Sequence, residues 1–390
     1  MSSVITSPKS TSPARPACAK SPKLPAAIWP ANFWPGFGKE PGMSLRSSYL
    51  LLPLALTMAV LALATCTPDS PPPQATTLYH FGTVIEIKLA DASEARAQEL
   101  FRRADAQLGQ WHRRWHFWEP SELTALNAAL ATGEPVPVAI DLAGLIQRSS
   151  ELAIDSEHLF NPALGKRIAA WGFARHDPNA PAAAPAAIDP SRLPKMADLS
   201  WDEQGRLIST HPDLQLDLGG IAKGYALNAL LADLRSQGIQ RAMVNIGGDI
   251  GVLGALPDRH WRIAVLGGDG KQAVAALDLY DGEQVFSSGT YARRHQTDKG
   301  QSAHHIIDPR TGNPAEGNLA TTVLGTDGER LQAASKALLI AGSDWRSVAR
   351  RMQIDLALVI RGDGVIEVTS ALAARLEPME PDGDNWQIIP

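Results

Sequence analysis

Leu216-Asp217-Leu218-Gly219-Gly220-Ile221-Ala222-Lys223-Gly224-Tyr225-Ala226 is the densest signal in the chain. An apolar strand is expected to run through an acid into two glycines and then to enter a helix. Glycines let a backbone come close to a ligand, and free N–H groups at a helix start attract phosphate. Lys223, in the first helical turn, adds a movable positive charge. The stretch is neither a Walker loop nor a Gly-x-Gly-x-x-Gly fingerprint. A plain strand–turn–helix joint with a surface lysine also accounts for it.

Downstream, the pattern continues as strands separated by turns: residues 242–246, 261–266, 274–279, 284–287, 304–307 and 321–324 read as strands. Helices are expected after Gly220, Asp327 and Asp344. Upstream, 77–90 reads as a first strand containing Phe81-Gly82-Thr83. An amphipathic helix follows from about Ser93, with Ala97, Phe101, Ala104, Leu108, Trp111 and Trp115 on one face. Asp141 is placed to cap a second helix running to about Asp155. Residues 177–194, rich in Pro and Ala, read as a surface loop because patterned structure resumes on both sides. Successive strands without regular intervening helices predict an α+β fold, with antiparallel or mixed sheets flanked by helices in one large region, and not a doubly wound sheet.

Composition narrows the function. With 390 residues, 44% hydrophobic and 20% charged, the chain has ample material for a core, and its net charge of -5 argues against a nucleic-acid partner. Its two cysteines, Cys18 and Cys66, both lie near the N-terminus, so the body can hold neither a disulfide framework nor a cysteine zinc site. Residues 1–42 show no periodicity and read as an upstream segment, with translation expected to begin at Met43. Residues 43–65 read as a lipoprotein signal peptide: Arg46, an apolar run over 49–63, then Leu63-Ala64-Thr65 before Cys66. Acylation of Cys66 would anchor the protein to a membrane through several chains, on a Pro-rich tether over 66–76. The domain proper is expected over 77–390, on the periplasmic side.

Three further clusters carry polar chemistry. Val244-Asn245-Ile246-Gly247-Gly248-Asp249 reads as a ligand-approaching turn or a bulged hairpin. Ser287-Ser288-Gly289-Thr290-Tyr291 offers hydroxyls and amides to a phosphate, or is a polar turn. His304-His305-Ile306-Ile307-Asp308-Pro309-Arg310-Thr311-Gly312 gathers imidazole, carboxylate and guanidinium, or simply closes a loop through an Asp–Arg pair. Their common theme is an anionic ligand. Trp111 and Trp115 read as core. His112 and His116 have helical metal-pair spacing but no carboxylate partner pattern.

Taken in order, these blocks resemble the ApbE family, the FAD:protein FMN transferases. The blocks are Phe81-Gly82-Thr83, the run from Ser121 to Asn127, Phe160-Asn161-Pro162, the glycine stretch from Leu216, the run ending at Asp249, the run from Ser287 and that from His304 to Gly312. The resemblance implies FAD as substrate, Mg²⁺ on its pyrophosphate, and transfer of FMN to a Thr or Ser hydroxyl of an exported flavoprotein, with AMP released. By position, Asp217 and Lys223 look like FAD contacts, and the carbonyl of Gly220 like a metal ligand. Phe81, Phe160, Asn161 and Ile306 resemble positions around the flavin nucleotide, and Phe117 sits where the family offers a ring for stacking. His305 and Asp308 are the candidates for handling protons near the attacking hydroxyl.

The sequence also departs from the pattern. The family's last block has an Asp and, four residues on, a Thr, both magnesium ligands; here these positions are Gln332 and Lys336. Gln332 offers a carbonyl oxygen without charge, whereas an ammonium has no lone pair and repels a cation. Three outcomes stand open. Lys336 takes over the metal's role in catalysis, or catalysis is lost and FAD binding remains, or both side chains turn outward. Splitting of FAD to FMN and AMP is an intermediate alternative. Smaller departures are Asn161 and Asn228 in place of Asp, His158 in place of Gly, and Phe81 in place of Met.

Overall fold

The computed structural model describes residues 72–175, 182–298, 300, 302–379 and 385–390. The chain divides into Met1–Pro68 and Asp69–Pro390, and the described structure lies in the second unit. The upstream segment, the signal peptide and Cys66 fall outside the described residues. None of the described helices is long and apolar enough to cross a membrane.

β1 (Gln74–His80) and β2 (Thr83–Leu89) form an antiparallel hairpin, not the single strand read over 77–90. The turn is Phe81-Gly82, with φ of 53° and 69°. Two central residues at positive φ give the tight connection whose twist matches the strands it joins. β1 also starts at Gln74, so the last residues expected in the tether are strand.

Helices α1 (Glu94–Arg114), α2 (Glu122–Leu130), α3 (Ile140–Asp155) and α4 (Gly165–Ala170) follow. α1 begins where expected, and Ser93 caps it through its side chain. Asp141 does not cap α3; it sits in the first turn and its carboxylate binds Arg114 at 2.5 and 2.9 Å. A small hairpin, β3 (Leu199–Trp201) with β4 (Leu207–Ser209), precedes the glycine stretch. That stretch enters through a single bridge at Gln215 and a 3₁₀ turn, Leu218–Gly220, in place of the expected strand, and continues as α5 (Ala222–Ser236).

The remaining elements are β5 (Ala242–Ile246), β6 (Asp249–Leu253), β7 (Trp261–Leu266), β8 (Ala273–Leu279), β9 (Gln284–Gly289), β10 (Arg294–Gln296), β11 (Ser302–His304), β12 (Ile307–Asp308), β13 (Asn313–Pro314), β14 (Asn318–Gly325), α6 (Gly328–Ala341), α7 (Trp345–Arg351), β15 (Leu356–Arg361), β16 (Ile366–Thr369), α8 (Ser370–Ala373), β17 (Leu376–Pro378) and β18 (Trp386–Ile389). The strand expected over 304–307 is therefore two short ones, with His305 and Ile306 between them.

Nine strands form one sheet in the order β1-β2-β5-β6-β9-β14-β15-β16-β18, antiparallel except for the parallel pair β16–β18. A three-stranded sheet, β17-β8-β7, forms separately. The period-2 alternation of strand side chains divides the core. Val244, Val323 and Val359 join the large cluster with α1, α5 and α6, while Met243, Leu324 and Leu358 join the cluster with β7 and β8. The α+β expectation is met.

α6 is buried over almost its full length, so it reads apolar on nearly every face. It lies close to α5 because both helices present glycine at the contact: a Cβ on Gly224 would overlap the Gly328 carbonyl. Gly224→Ala is expected to cost about 1–3 kcal/mol by overpacking, read by urea denaturation. A variant as stable as the wild type would mean that the helices separate freely at this point.

Candidate active site

The site is assembled where the 3₁₀ turn feeds α5 and faces α6. Gln332, 1% exposed, spans the turn with both ends of its amide. Its Nε2 donates to the Gly219 carbonyl (3.0 Å), and its Oε1 accepts from the Gly224 N–H (2.7 Å). The sequence reading offered that oxygen to a metal; in the structure it is spent on the backbone. Losing either bond would strand a buried peptide group, at about 1–3 kcal/mol.

One helical turn on, Lys336 points to the same loop. A Cβ on Gly220 would lie 3.7 and 3.8 Å from Lys336 Cδ and Cε, and 2.9 Å from the Phe160 ring. Glycine at 220 therefore leaves the space that the lysine stem and the aromatic ring occupy. The outward-turned alternative is thereby removed for both side chains. Lys336 Nζ donates to the Gln332 carbonyl at 3.2 Å. Burial lowers its pKa to about 8; Lys223 pushes the same way, against the pull of Asp249 and Asp217.

Lys223 itself is ion-paired with Asp249, 3% exposed at the start of β6. The hairpin turn Gly247-Gly248, with φ of 63° and 97°, delivers that carboxylate. Asp249 also accepts from the Ser287 N–H at 3.3 Å. Asp217 accepts from the Gly219 N–H at 2.8 Å. Burial raises the Asp217 carboxyl pKa, opposed by that N–H and by the charges of Arg293, Lys336 and His116. His305 is held neutral, its pKa well below the usual histidine value, because it is desolvated and faces Arg293, Lys336 and His304. Its Nδ1 is buried with no hydrogen-bond partner. Three cations, Lys223, Arg293 and Lys336, thus surround two carboxylates and a neutral imidazole, leaving positive charge in surplus.

Comparison with known proteins identifies the family of the chain. The family model described as the ApbE family matches residues 81–360. The chain belongs to the ApbE family. It is 40% identical over 308 residues to an FAD:protein FMN transferase of Rhodobacter capsulatus, covering 78% of this chain but only 58% of that relative. A second FAD:protein FMN transferase, from Klebsiella pneumoniae (strain 342), is 28% identical over 79% of this chain and 94% of its own length. The crystal structure of the ApbE protein of Thermotoga maritima superposes with a TM-score of 0.70 at 25% identity, covering 78% of this chain and 99% of that one.

Within this ApbE fold the expected residues separate into two groups. Asp217, Gly220, Lys223, His305, Gln332 and Lys336 come together, with Phe160 packed beneath Gly220. The others are held in structural roles. Asp308 is clamped by Arg310, whose Nε and Nη2 reach it at 3.0 and 2.8 Å, so the loop-closing pair is realised and its carboxylate is committed. Asn161 donates to the Pro194 carbonyl (2.8 Å) and accepts from the Ala163 N–H (3.2 Å). Phe117 and Ile306 are buried in the large core, as are Trp111 and Trp115, whose rings meet Tyr225 edge-on at 5.3 and 5.2 Å. Phe81 occupies the first hairpin turn, and its N–H donates to His112 Nδ1 at 3.2 Å. Ser287 and Ser288 lie in β9, bonded to Thr322 and Ser335, and not in a turn.

One site residue escaped the sequence reading, and a second was read only as part of a turn. Asp249 closes the Asn-Ile-Gly-Gly-Asp run, and an acid ending a Gly-Gly turn was the available signal. Arg293, at φ 40° with its guanidinium on the Phe173 carbonyl (3.1 Å), has no local signal.

The donor set does not suit the Mg²⁺ that the family resemblance implies. Among the described residues no group of three or more His, Cys, Asp or Glu is placed to hold a metal. Gln332 is occupied, Asp249 is neutralised by Lys223, and the Lys336 ammonium stands beside the Gly220 turn. A divalent cation wants several free oxygens and no adjoining positive charge.

Because the folded pKa of Lys336 lies below that of a free lysine, the unfolded chain binds more protons between about pH 8 and 10.5, and stability rises with pH across that window. Lys336→Met is expected to stabilise the ligand-free protein at pH 7 by about 1–3 kcal/mol, an advantage that shrinks toward pH 10.5. Urea unfolding at pH 7 and pH 10 checks this; a variant destabilised at pH 7 would show that the ammonium is well solvated.

Proposed function

We propose that the protein is an FAD:protein FMN transferase that moves FMN from FAD to a Thr or Ser hydroxyl of an exported flavoprotein and releases AMP. The observation that carries this reading is the surplus of positive charge on a glycine-walled turn at a helix start, with a neutral imidazole beside it that is hydrogen-bonded to the Ala292 backbone and leaves its Nδ1 without a partner. A pyrophosphate bears two negative charges and suits that surroundings.

In the reaction, the acceptor oxygen forms a bond to the FMN phosphorus while the bond from that phosphorus to the bridging oxygen breaks. The bridging oxygen leaves on AMP, whose phosphate gains a charge. The hydroxyl proton ends in solvent, with the neutral His305 imidazole as the candidate base at the site. Neutral His305 can accept it without first losing one. Arg293 faces the phosphate charge, Lys223 stays paired with Asp249 and fixes the start of α5, and the Gln332 brace keeps the turn from moving as charge shifts.

The remaining parts of the reading rest on sequence. Acylation at Cys66 would hold the enzyme on the periplasmic side of a bacterial membrane, where an exported partner is found. Incorporation of a radiolabelled fatty acid, lost in Cys66→Ser, is the outcome this reading predicts; equal labelling of the variant would remove the anchor.

The activity is tested by mixing protein, FAD and a flavoprotein domain that carries an acceptor threonine. Equal amounts of AMP and covalently fluorescent target are expected, and His305→Gln should slow transfer by about 10²–10⁴ with FAD affinity nearly unchanged. AMP without labelled target would make the protein an FAD pyrophosphatase. Bound FAD with neither product would leave an FAD-holding protein.

A further inference from the structure

A half-buried ammonium in the middle of an otherwise buried helix is costly unless something compensates it. α6 is apolar over the turns on either side of Lys336: Ala333, Ala334, Ala337, Leu338 and Leu339 are fully buried. The protein acceptor bound to Nζ is one neutral carbonyl, that of Gln332. The two carboxylates that attract it are already engaged, Asp249 by Lys223 and Asp217 by the Gly219 N–H. Of the three N–H donors of a lysine, the observed bond uses one. The stem is threaded past Gly220, where any side chain would press on Phe160. Gln332, on the same face one turn earlier, ties the loop to the helix that carries the charge. The charge and the loop therefore form one rigid frame.

We infer that Lys336 is a built-in cation for the FAD pyrophosphate, and that this chain binds and uses FAD without a divalent metal. The inference rests on the transferase reading for its ligand, but not on turnover. An incoming pyrophosphate accepts hydrogen bonds from the unspent N–H donors of Lys336 and supplies the counter-charge that the surrounding side chains do not. The charges facing this position from neighbouring elements are Lys223 on α5, Asp249 on β6 and Asp217 before the 3₁₀ turn; neutral His305 also lies beside it, and Arg293 acts on His305 and Asp217. A divalent ion added to that set would stand against three cations, which is why metal is expected to bring nothing.

The test measures FAD binding by quenching of flavin fluorescence, and flavin transfer in parallel, with the whole protein in EDTA and in Mg²⁺. Expected results are equal FAD affinity in both media, transfer rates within about twofold, and affinity in EDTA reduced about tenfold or more in Lys336→Met, with partial retention in Lys336→Arg. Circular dichroism and the unfolding midpoint establish that the variants fold. Binding or transfer by the wild type that requires Mg²⁺ overturns the inference, and so does unchanged FAD affinity in folded Lys336→Met. Tight, metal-independent, Lys336-dependent binding without transfer would uphold this inference and contradict the transferase reading alone.

Discussion

The two hydrogen bonds of the Gln332 amide are the constraint on which the site depends. They join the Gly219 carbonyl and the Gly224 N–H to α6, and α6 is fixed by burial against β9 and β14. The glycine turn has few side-chain contacts of its own, since residues 219, 220 and 224 have none to give. Its shape is imposed from the helix opposite. Buried polar networks hold one geometry when every member is satisfied, and here the geometry held is that of the site.

Around that brace the electrostatics are arranged in two tiers. Lys223 and Asp249 form a closed pair that fixes the start of α5 to the β5–β6 hairpin. Lys336 and Arg293 are not neutralised in the same way; their fields reach Asp217 and His305, raising no barrier to an anion and keeping the imidazole neutral. The cost of a desolvated ammonium falls on stability, and its use falls on binding. Such opposition between stability and function is common where charge is held ready for a ligand.

Much of this was legible in the sequence, for physical reasons that differ by element. The α+β class followed from strand periodicity without intervening helices, and the start of α1 from the apolar spacing that begins near Ser93, because helical periodicity is a local pattern. The β1–β2 hairpin was missed because its turn uses Phe81 at positive φ, a conformation that a Phe seldom adopts. Asp141 misled because Arg114, 27 residues away, competes for its carboxylate. At the site, Lys223 was legible as a cation in the first helical turn after two glycines, and Lys336 only through the resemblance to the family's last block. The fate of Gln332 and Asp308 was not readable. Whether an amide or a carboxylate faces a ligand or its own backbone is decided by tertiary partners, here Gly219, Gly224 and Arg310.

The most direct measurement is a crystal structure of the FAD complex grown with Mn²⁺, recorded at the manganese absorption edge. The account predicts Lys336 Nζ at hydrogen-bond distance, about 3 Å, from a pyrophosphate oxygen, Gln332 still bridging Gly219 and Gly224, and no anomalous peak at the site. A manganese peak between the Gly220 carbonyl and the pyrophosphate, with Lys336 turned aside, would contradict it.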